Sequence, residues 1–154
     1  MAAAIARGRV RQNGAVVESS EPLSRTVLIV EDAEPSAATL EIALLAIPGV
    51  AVQVVSCARQ AIELLENPDV QVHTLVTDLH MPLMDGFELV GKVRLLGRYR
   101  ALPIVVISGD SDPRTPERIF RMGANAYFPK PFSPAQVRRK VEQLLNANDS
   151  VRVP

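Results

Sequence analysis

From residue 26 onward the hydrophobic pattern switches back and forth between two periods. Residues 26–30 (TVLIV) form an unbroken aliphatic run of strand length, and residues 35–47 then place Leu40, Ala43, Leu44 and Ile47 at helical spacing. Pro48-Gly49 ends that helix. Residues 50–56 (VAVQVVS) predict a second strand, and residues 58–66 carry Ile62, Leu64 and Leu65 in a second helix closed by Asn67-Pro68. Residues 72–78 (VHTLVTD) and 86–96 predict the third strand and helix, and residues 103–108 (PIVVIS) the fourth strand. Pro113 and Pro116 delay the next helix and confine it to residues 115–122, about two turns. Residues 126–129 (AYFP) predict a short fifth strand. Ser133 is the expected N-cap of a last helix that opens on Pro134 and runs through residue 145, with Val137, Val141, Leu144 and Leu145 on its apolar side. Strands this continuously apolar are expected to be buried on both faces, so the sheet should be parallel with helices on each side, a doubly wound α/β fold.

Composition narrows this picture without redirecting it. The chain has 154 residues and 47% hydrophobic content, enough for a single core. Lys plus Arg and Asp plus Glu stand at 17 each, so no global positive field argues for nucleic acid or an anionic membrane surface. The lone cysteine, Cys57, leaves no internal disulfide and fits a reducing cytoplasm. No apolar run approaches the roughly 18 residues needed to span a bilayer. Residues 1–25 carry arginines and small residues without the apolar stretch of a secretory signal, and are expected to be a flexible leader, with a weak basic amphipathic segment as the alternative. That leaves residues 26–146 as the domain and 147–154 as a short tail, too short for an effector unit. A basic stripe at Arg138, Arg139 and Lys140 is expected to be a solvated helix face.

In doubly wound sheets, ligands bind outside the carboxyl ends of the strands where the strand order reverses. At those ends stand Glu31-Asp32, Asp78, Ser108 and Lys130. Any one of them alone reads as an ordinary polar loop residue. Three acids, a hydroxyl and an amine at successive strand ends read as one crevice. Crowded carboxylates repel unless a proton or a cation intervenes, and an oxygen-only donor set without His or Cys ligands suits Mg²⁺. A carboxylate poised by a metal is a nucleophile towards phosphorus. The metal and the Lys130 ammonium would neutralise charge in phosphoryl transfer, and the Ser108 hydroxyl would hydrogen-bond a phosphoryl oxygen. On this reading Asp78 ends a buried strand because it is to be phosphorylated.

At these residues the sequence resembles the receiver domains of two-component response regulators, over roughly residues 26–145. The resemblance rests on VEDAEPS, VTDLHMPLMDG, VVISG and GANAYFPKPF in order, with the strand and helix alternation between them. It implies a flavodoxin- and CheY-like five-stranded sheet of order 2-1-3-4-5. It also implies an aspartate that takes a phosphoryl group from a phosphohistidine on a histidine kinase or phosphotransfer protein, and a domain that catalyses its own phosphorylation and dephosphorylation. Carried over, Asp78 is the acceptor, and Asp32, Glu31 (through water), Asp78 and the backbone carbonyl of His80 hold Mg²⁺. Ser108 and Lys130 hold the phosphoryl group, and Lys130-Pro131 is the family's cis peptide. Tyr127 matches the aromatic switch that turns inward with the Ser108 hydroxyl and reshapes the face of helix four, strand five and helix five, where a downstream protein or a second copy would dock. Taken alone, Tyr127 is an aromatic half-buried at a sheet edge. Gly109 offers no side chain to shield the phosphoryl group, and His80 and Asp110 are expected either to pair at the mouth and tune phosphate lifetime or to be solvated loop residues that never meet.

Other readings compete. A haloacid-dehalogenase-like hydrolase wants a second acid two residues after the first, where this chain has His80. A flavodoxin-like nucleotide site lacks a glycine-rich loop after strand one. An interaction module with a vestigial acidic site is the remaining alternative. No helix-turn-helix candidate stands in the sequence, so output is expected through protein contacts, in the cytoplasm, with no direct nucleic acid or membrane binding.

Overall fold

The computed structural model describes residues 9–12, 15–18 and 25–151, with side chains described over 25–148. Five parallel strands, β1 (Arg25–Val30), β2 (Val50–Val55), β3 (Thr74–Asp78), β4 (Ile104–Ser108) and β5 (Ala126–Pro129), form one sheet in the order β2-β1-β3-β4-β5. Between and after them lie α1 (Glu34–Leu45), α2 (Ala58–Glu66), α3 (Gly86–Leu95), α4 (Thr115–Arg121) and α5 (Pro134–Val151). The expected doubly wound α/β fold with strand order 2-1-3-4-5 is the one observed.

The alternation along each strand sorts the core into two layers. Leu28, Val30, Leu75, Ile104 and Val106 face Ala61, Leu65, Leu89, Val90 and Val93 of α2 and α3, together with Ile119 of α4. Val27, Ile29, Val76, Val105 and Ile107 face Leu40 and Leu44 of α1 and Val137, Val141 and Leu145 of α5. Successive residues of one strand thus serve opposite faces, as a pleated backbone requires. β1, β3 and β4 are buried almost throughout. β2 is different: Gln53 and Val54 are exposed, because β2 is an edge strand and its outer half reaches water. Burial on both faces was expected of every strand, and it does not hold at the two edge strands: in β5 likewise Tyr127 and Phe128 are only half-buried and Pro129 is exposed.

Two expectations at the ends of the chain change. Within the leader, Arg9–Gln12 and Ala15–Glu18 pair as an antiparallel hairpin, with the first strand alongside β2. The remainder of the leader call, residues 1–8, 13–14 and 19–24, lies outside the described residues. The last helix does not stop at residue 145 but continues to Val151, so most of the expected tail is helical. Residues 152–154 lie outside the described residues. Among the described residues no helix is long and apolar enough to cross a membrane.

Candidate functional site at the carboxyl ends of the strands

β1 pairs with β2 on one side and β3 on the other, so the chain order reverses beside it. α1 leaves towards one face of the sheet and α3 towards the other, opening a crevice above β1 and β3. Register decides what reaches it. Val30 sits level with Thr77, Asp78 with Ile107, and Ser108 with Pro129, so the residues ending neighbouring strands meet at one level.

Glu31 and Asp78 are both largely withdrawn from water, at 3% and 6% exposure. Each binds the Lys130 ammonium, with Nζ donating to Glu31 Oε2 at 3.0 Å and to Asp78 Oδ2 at 2.8 Å. The second oxygen of each acid takes a backbone donor: Glu31 Oε1 accepts from Ala33 N–H at 3.0 Å, and Asp78 Oδ1 from His80 N–H at 3.2 Å. Lys130 is placed by its own N–H, which donates to the Ser108 carbonyl at 2.8 Å, and the Lys130–Pro131 peptide is cis. Burial pushes the Glu31 carboxyl above its ordinary pKa, although Ala33 N–H and Lys130 pull the other way. For Lys130, burial works against the ammonium, but the hydrogen bonds to Asp78 and Glu31 outweigh it and leave its pKa above the usual lysine value.

Asp32 completes the acids from the exposed side. One carboxylate oxygen from each of Glu31, Asp32 and Asp78 lies within 4.8 Å of the others. A cluster of oxygen donors only, beside the backbone of His80, fits a small hard cation such as Mg²⁺. Ser108, at 0% exposure, stands one strand further along. Its hydroxyl oxygen accepts from Asp110 N–H at 3.0 Å. Gly109 leaves open space here, since a Cβ at that position would meet only Lys130 Cβ at 3.9 Å. Tyr127 is half-buried and packs against the α2–α3 layer of the core.

His80 and Asp110 do meet. His80 Nε2 lies 3.3 Å from Asp110 Oδ2, tying the loop after β3 to the loop after β4 across the mouth of the crevice. Asp110 is further held by Asp112 N–H at 2.8 Å and by the Thr115 hydroxyl at 2.9 Å. These bonds, first the one from Asp112 and then that from Thr115, keep the Asp110 carboxyl below the ordinary carboxylate range. Thr115 is the member that sequence reasoning missed. The available signal was the Asp-x-Asp-x-Arg spacing of residues 110–114, in which each aspartate can cap the N–H two residues on and wind the loop towards the helix.

Fold and site together define a doubly wound α/β domain with a carboxylate-lysine pocket at its switch point. The sequence model of the response regulator receiver domain matches residues 27–142. The chemotaxis protein CheY1 of Helicobacter pylori is 35% identical over 94 residues, covering 60% of this chain and 76% of that protein. Among solved structures, the receiver domain of a Francisella response regulator superposes with a TM-score of 0.73 at 21% identity, over 81% of this chain and 99% of that one. The receiver domain of a Pseudomonas aeruginosa sensor histidine kinase, which has a magnesium ion coordinated in its active-site cleft, superposes with a TM-score of 0.70 at 24% identity over 79% and 98%. The chain belongs to the response regulator receiver family of two-component systems, and its Glu31, Asp32 and Asp78 cluster is consistent with the phosphoacceptor site of such a domain.

Proposed function

We propose that Asp78 accepts a phosphoryl group from a phosphohistidine on a histidine kinase or phosphotransfer protein. A carboxylate oxygen of Asp78 attacks phosphorus, the phosphorus–nitrogen bond breaks, and the imidazole leaves with the electron pair and takes up a proton. Hydrolysis of the acyl phosphate by water returns the aspartate, so the domain catalyses both its loading and its clearing. The observation that carries this reading is the Lys130 ammonium held between Asp78 and Glu31, with Asp32 beside them: charge is gathered where a phosphoryl group must be neutralised. Mg²⁺, when bound, supplies the remaining positive charge and orients phosphoryl oxygens. Asp32, Asp78 and the His80 carbonyl would hold it directly and Glu31 through water. Ser108 donates its hydroxyl to the phosphoryl group, while His80, Gly109 and Asp110 line the approach and set how long the phosphate survives.

Output follows from the edge of the sheet next to Ser108 and Lys130. Tyr127 acts as the switch with Ser108, and the surface of α4, β5 and α5 engages a downstream protein or, on phosphorylation, a second copy of the chain. Phosphorylation biases two pre-existing arrangements of that surface. The domain works in the cytoplasm without contacting nucleic acid or membrane, which is supported by its balanced charge and lone Cys57.

Incubation with acetyl phosphate and Mg²⁺, read by intact-mass spectrometry, tests the proposal. The expected result is a single phosphoryl adduct that requires Mg²⁺ and is lost in Asp78→Asn. No adduct under conditions that label another receiver domain would overturn it in favour of a phosphorylation-independent interaction module.

A further inference from the structure

At the amino ends of the strands, a strand's length away from the acids, lies a cavity of about 240 Å³. It is walled by the residues leading into β3, by the 3₁₀ turn at Gly97–Tyr99 with the residues after it, and by the part of α5 beyond Leu145. Its apolar lining comes from Val72, Tyr99 and Leu102, all of them core residues. The Tyr99 ring is pinned, since its hydroxyl donates to the Val70 carbonyl at 3.2 Å and accepts the Val72 N–H at 3.1 Å. His73 is engaged with β1: its N–H donates to the Thr26 carbonyl at 2.8 Å, and its Nδ1 accepts the Thr26 N–H at 2.9 Å. Its ring therefore serves as wall, tied to the start of the central strand.

Arg98 sets the charge of the cavity. Its Cζ lies 5.2 Å from the centroid of the Tyr99 ring, and its Nη1 donates to the Asn67 carbonyl at 3.3 Å. Among the described residues no carboxylate pairs with it. Most of the donors that a guanidinium carries are thus left for a ligand oxygen. Gln71 and Asn148 add two amides to the lining. A bare anion would meet the guanidinium and leave the apolar lining empty, whereas a purely apolar molecule would leave the guanidinium without a counter-charge. The volume lies below the range of pockets for drug-sized molecules, so the occupant is limited to roughly one ring.

We propose that this cavity binds a small organic carboxylate. The apolar body of the ligand lies against Val72, Tyr99 and Leu102, and its carboxylate takes charge-assisted hydrogen bonds from Arg98. The Gln71 and Asn148 amides supply further hydrogen bonds. The site is separate from Asp78 and needs no phosphorylation. Because Asn148 belongs to the extension of α5, an occupant fastens that extension to the base of the sheet.

The test titrates the full chain with benzoate, with benzamide as its uncharged isostere and with inorganic phosphate as a bare anion, followed by backbone amide NMR shifts. Benzoate is expected to move the amides of Gln71, Val72, His73, Tyr99, Leu102 and Asn148 with a millimolar dissociation constant. It should bind about tenfold more tightly than benzamide, the scale of one charge-assisted hydrogen bond. Arg98→Met, a change at an exposed side chain, should remove that preference and leave weak binding of both ring compounds. Ala101→Leu narrows the cavity without touching its charge and should weaken both ring compounds alike. Absence of shifts at these amides up to tens of millimolar, equal affinity for benzoate and benzamide, or a preference that survives Arg98→Met would each overturn the proposal. So would phosphate binding as tightly as benzoate, or undiminished binding in Ala101→Leu. None of these outcomes involves Asp78, so the phosphoacceptor reading stands or falls separately.

Discussion

Gly86 opens α3, and its N–H donates to the Leu79 carbonyl at 2.8 Å, closing the loop after β3 tightly upon the strand it leaves. A Cβ at this position would stand 2.4 Å from the Asp78 carbonyl oxygen and 2.7 Å from Leu79 Cα. Both obstacles are backbone, so nothing flexible can yield. Room for even one methyl group requires moving the peptide of Asp78 itself, one bond from the carbon that carries its side chain. Gly86→Ala is therefore expected to destabilise the fold by about 3 kcal/mol and to slow labelling of Asp78 as well. Urea unfolding followed beside acetyl-phosphate labelling would check it, and a loss below about 1 kcal/mol would mean the loop relaxes at little cost. The Met-Pro-x-Met-Asp-Gly stretch marks this turn in the sequence, but it is the fold that makes the glycine a matter of space around Asp78.

At the scale of elements, caps and packing decide what holds. Asp85 Oδ1 accepts Glu88 N–H at 2.9 Å, capping the first turn of α3, and basic Lys92 and Arg94 stand in its last turn. Asp85→Ala should cost about 1 kcal/mol, seen as a lower urea midpoint with the slope unchanged, whereas a changed slope would show that the loop itself had loosened. Unbroken aliphatic runs and helical spacing marked the strands and helices of residues 26–145 because burial there is strong and, in the central strands, nearly symmetric. The pattern was less telling where burial is partial. β2 reads as an aliphatic strand broken only by Gln53, yet Val54 is 39% exposed, since an apolar residue does not by itself distinguish an edge strand from a central one. The N-terminal hairpin did have a signal, Asn13-Gly14 between two short valine-containing runs, one of the stronger short-range marks of such a pairing. The extension of α5 had little. Asn146, Asn148 and Asp149 are poor helix formers, and the helix persists past Leu145 where Asn146 is held by Arg25 across 3.1 Å.

Across the whole molecule, a site assembled from four separate strand ends was legible because the fold class dictates where those ends converge, but the partners within it were not. Whether Lys130 would bind Asp78, Glu31 or Ser108 depends on sheet twist and side-chain rotamers, and it binds the two acids. This pairing has a thermodynamic consequence. Glu31 and Asp78 are nearly dry and adjacent, so their mutual repulsion is offset by the ammonium, and a bound cation would act on the same charges. Replacing the ammonium by an apolar chain of similar length, Lys130→Met, leaves the acids uncompensated and should destabilise the metal-free protein by about 3 kcal/mol. A ligand that binds only the folded state adds stability in proportion to the logarithm of one plus its concentration divided by its dissociation constant, about 2.7 kcal/mol at a hundredfold excess over that constant. With the competing ammonium gone the cation should bind more tightly, so the melting temperature of Lys130→Met should rise further with Mg²⁺ than that of wild type. Asp32→Asn supplies the control: this carboxylate is exposed, so its loss should leave the metal-free melting point nearly intact while flattening the Mg²⁺ response. Thermal unfolding of the three proteins across a Mg²⁺ titration separates the cases. Equal Mg²⁺ shifts in wild type and Lys130→Met would mean that the cation and the ammonium answer different charges, and that the acids of this crevice do not form one electrostatic unit.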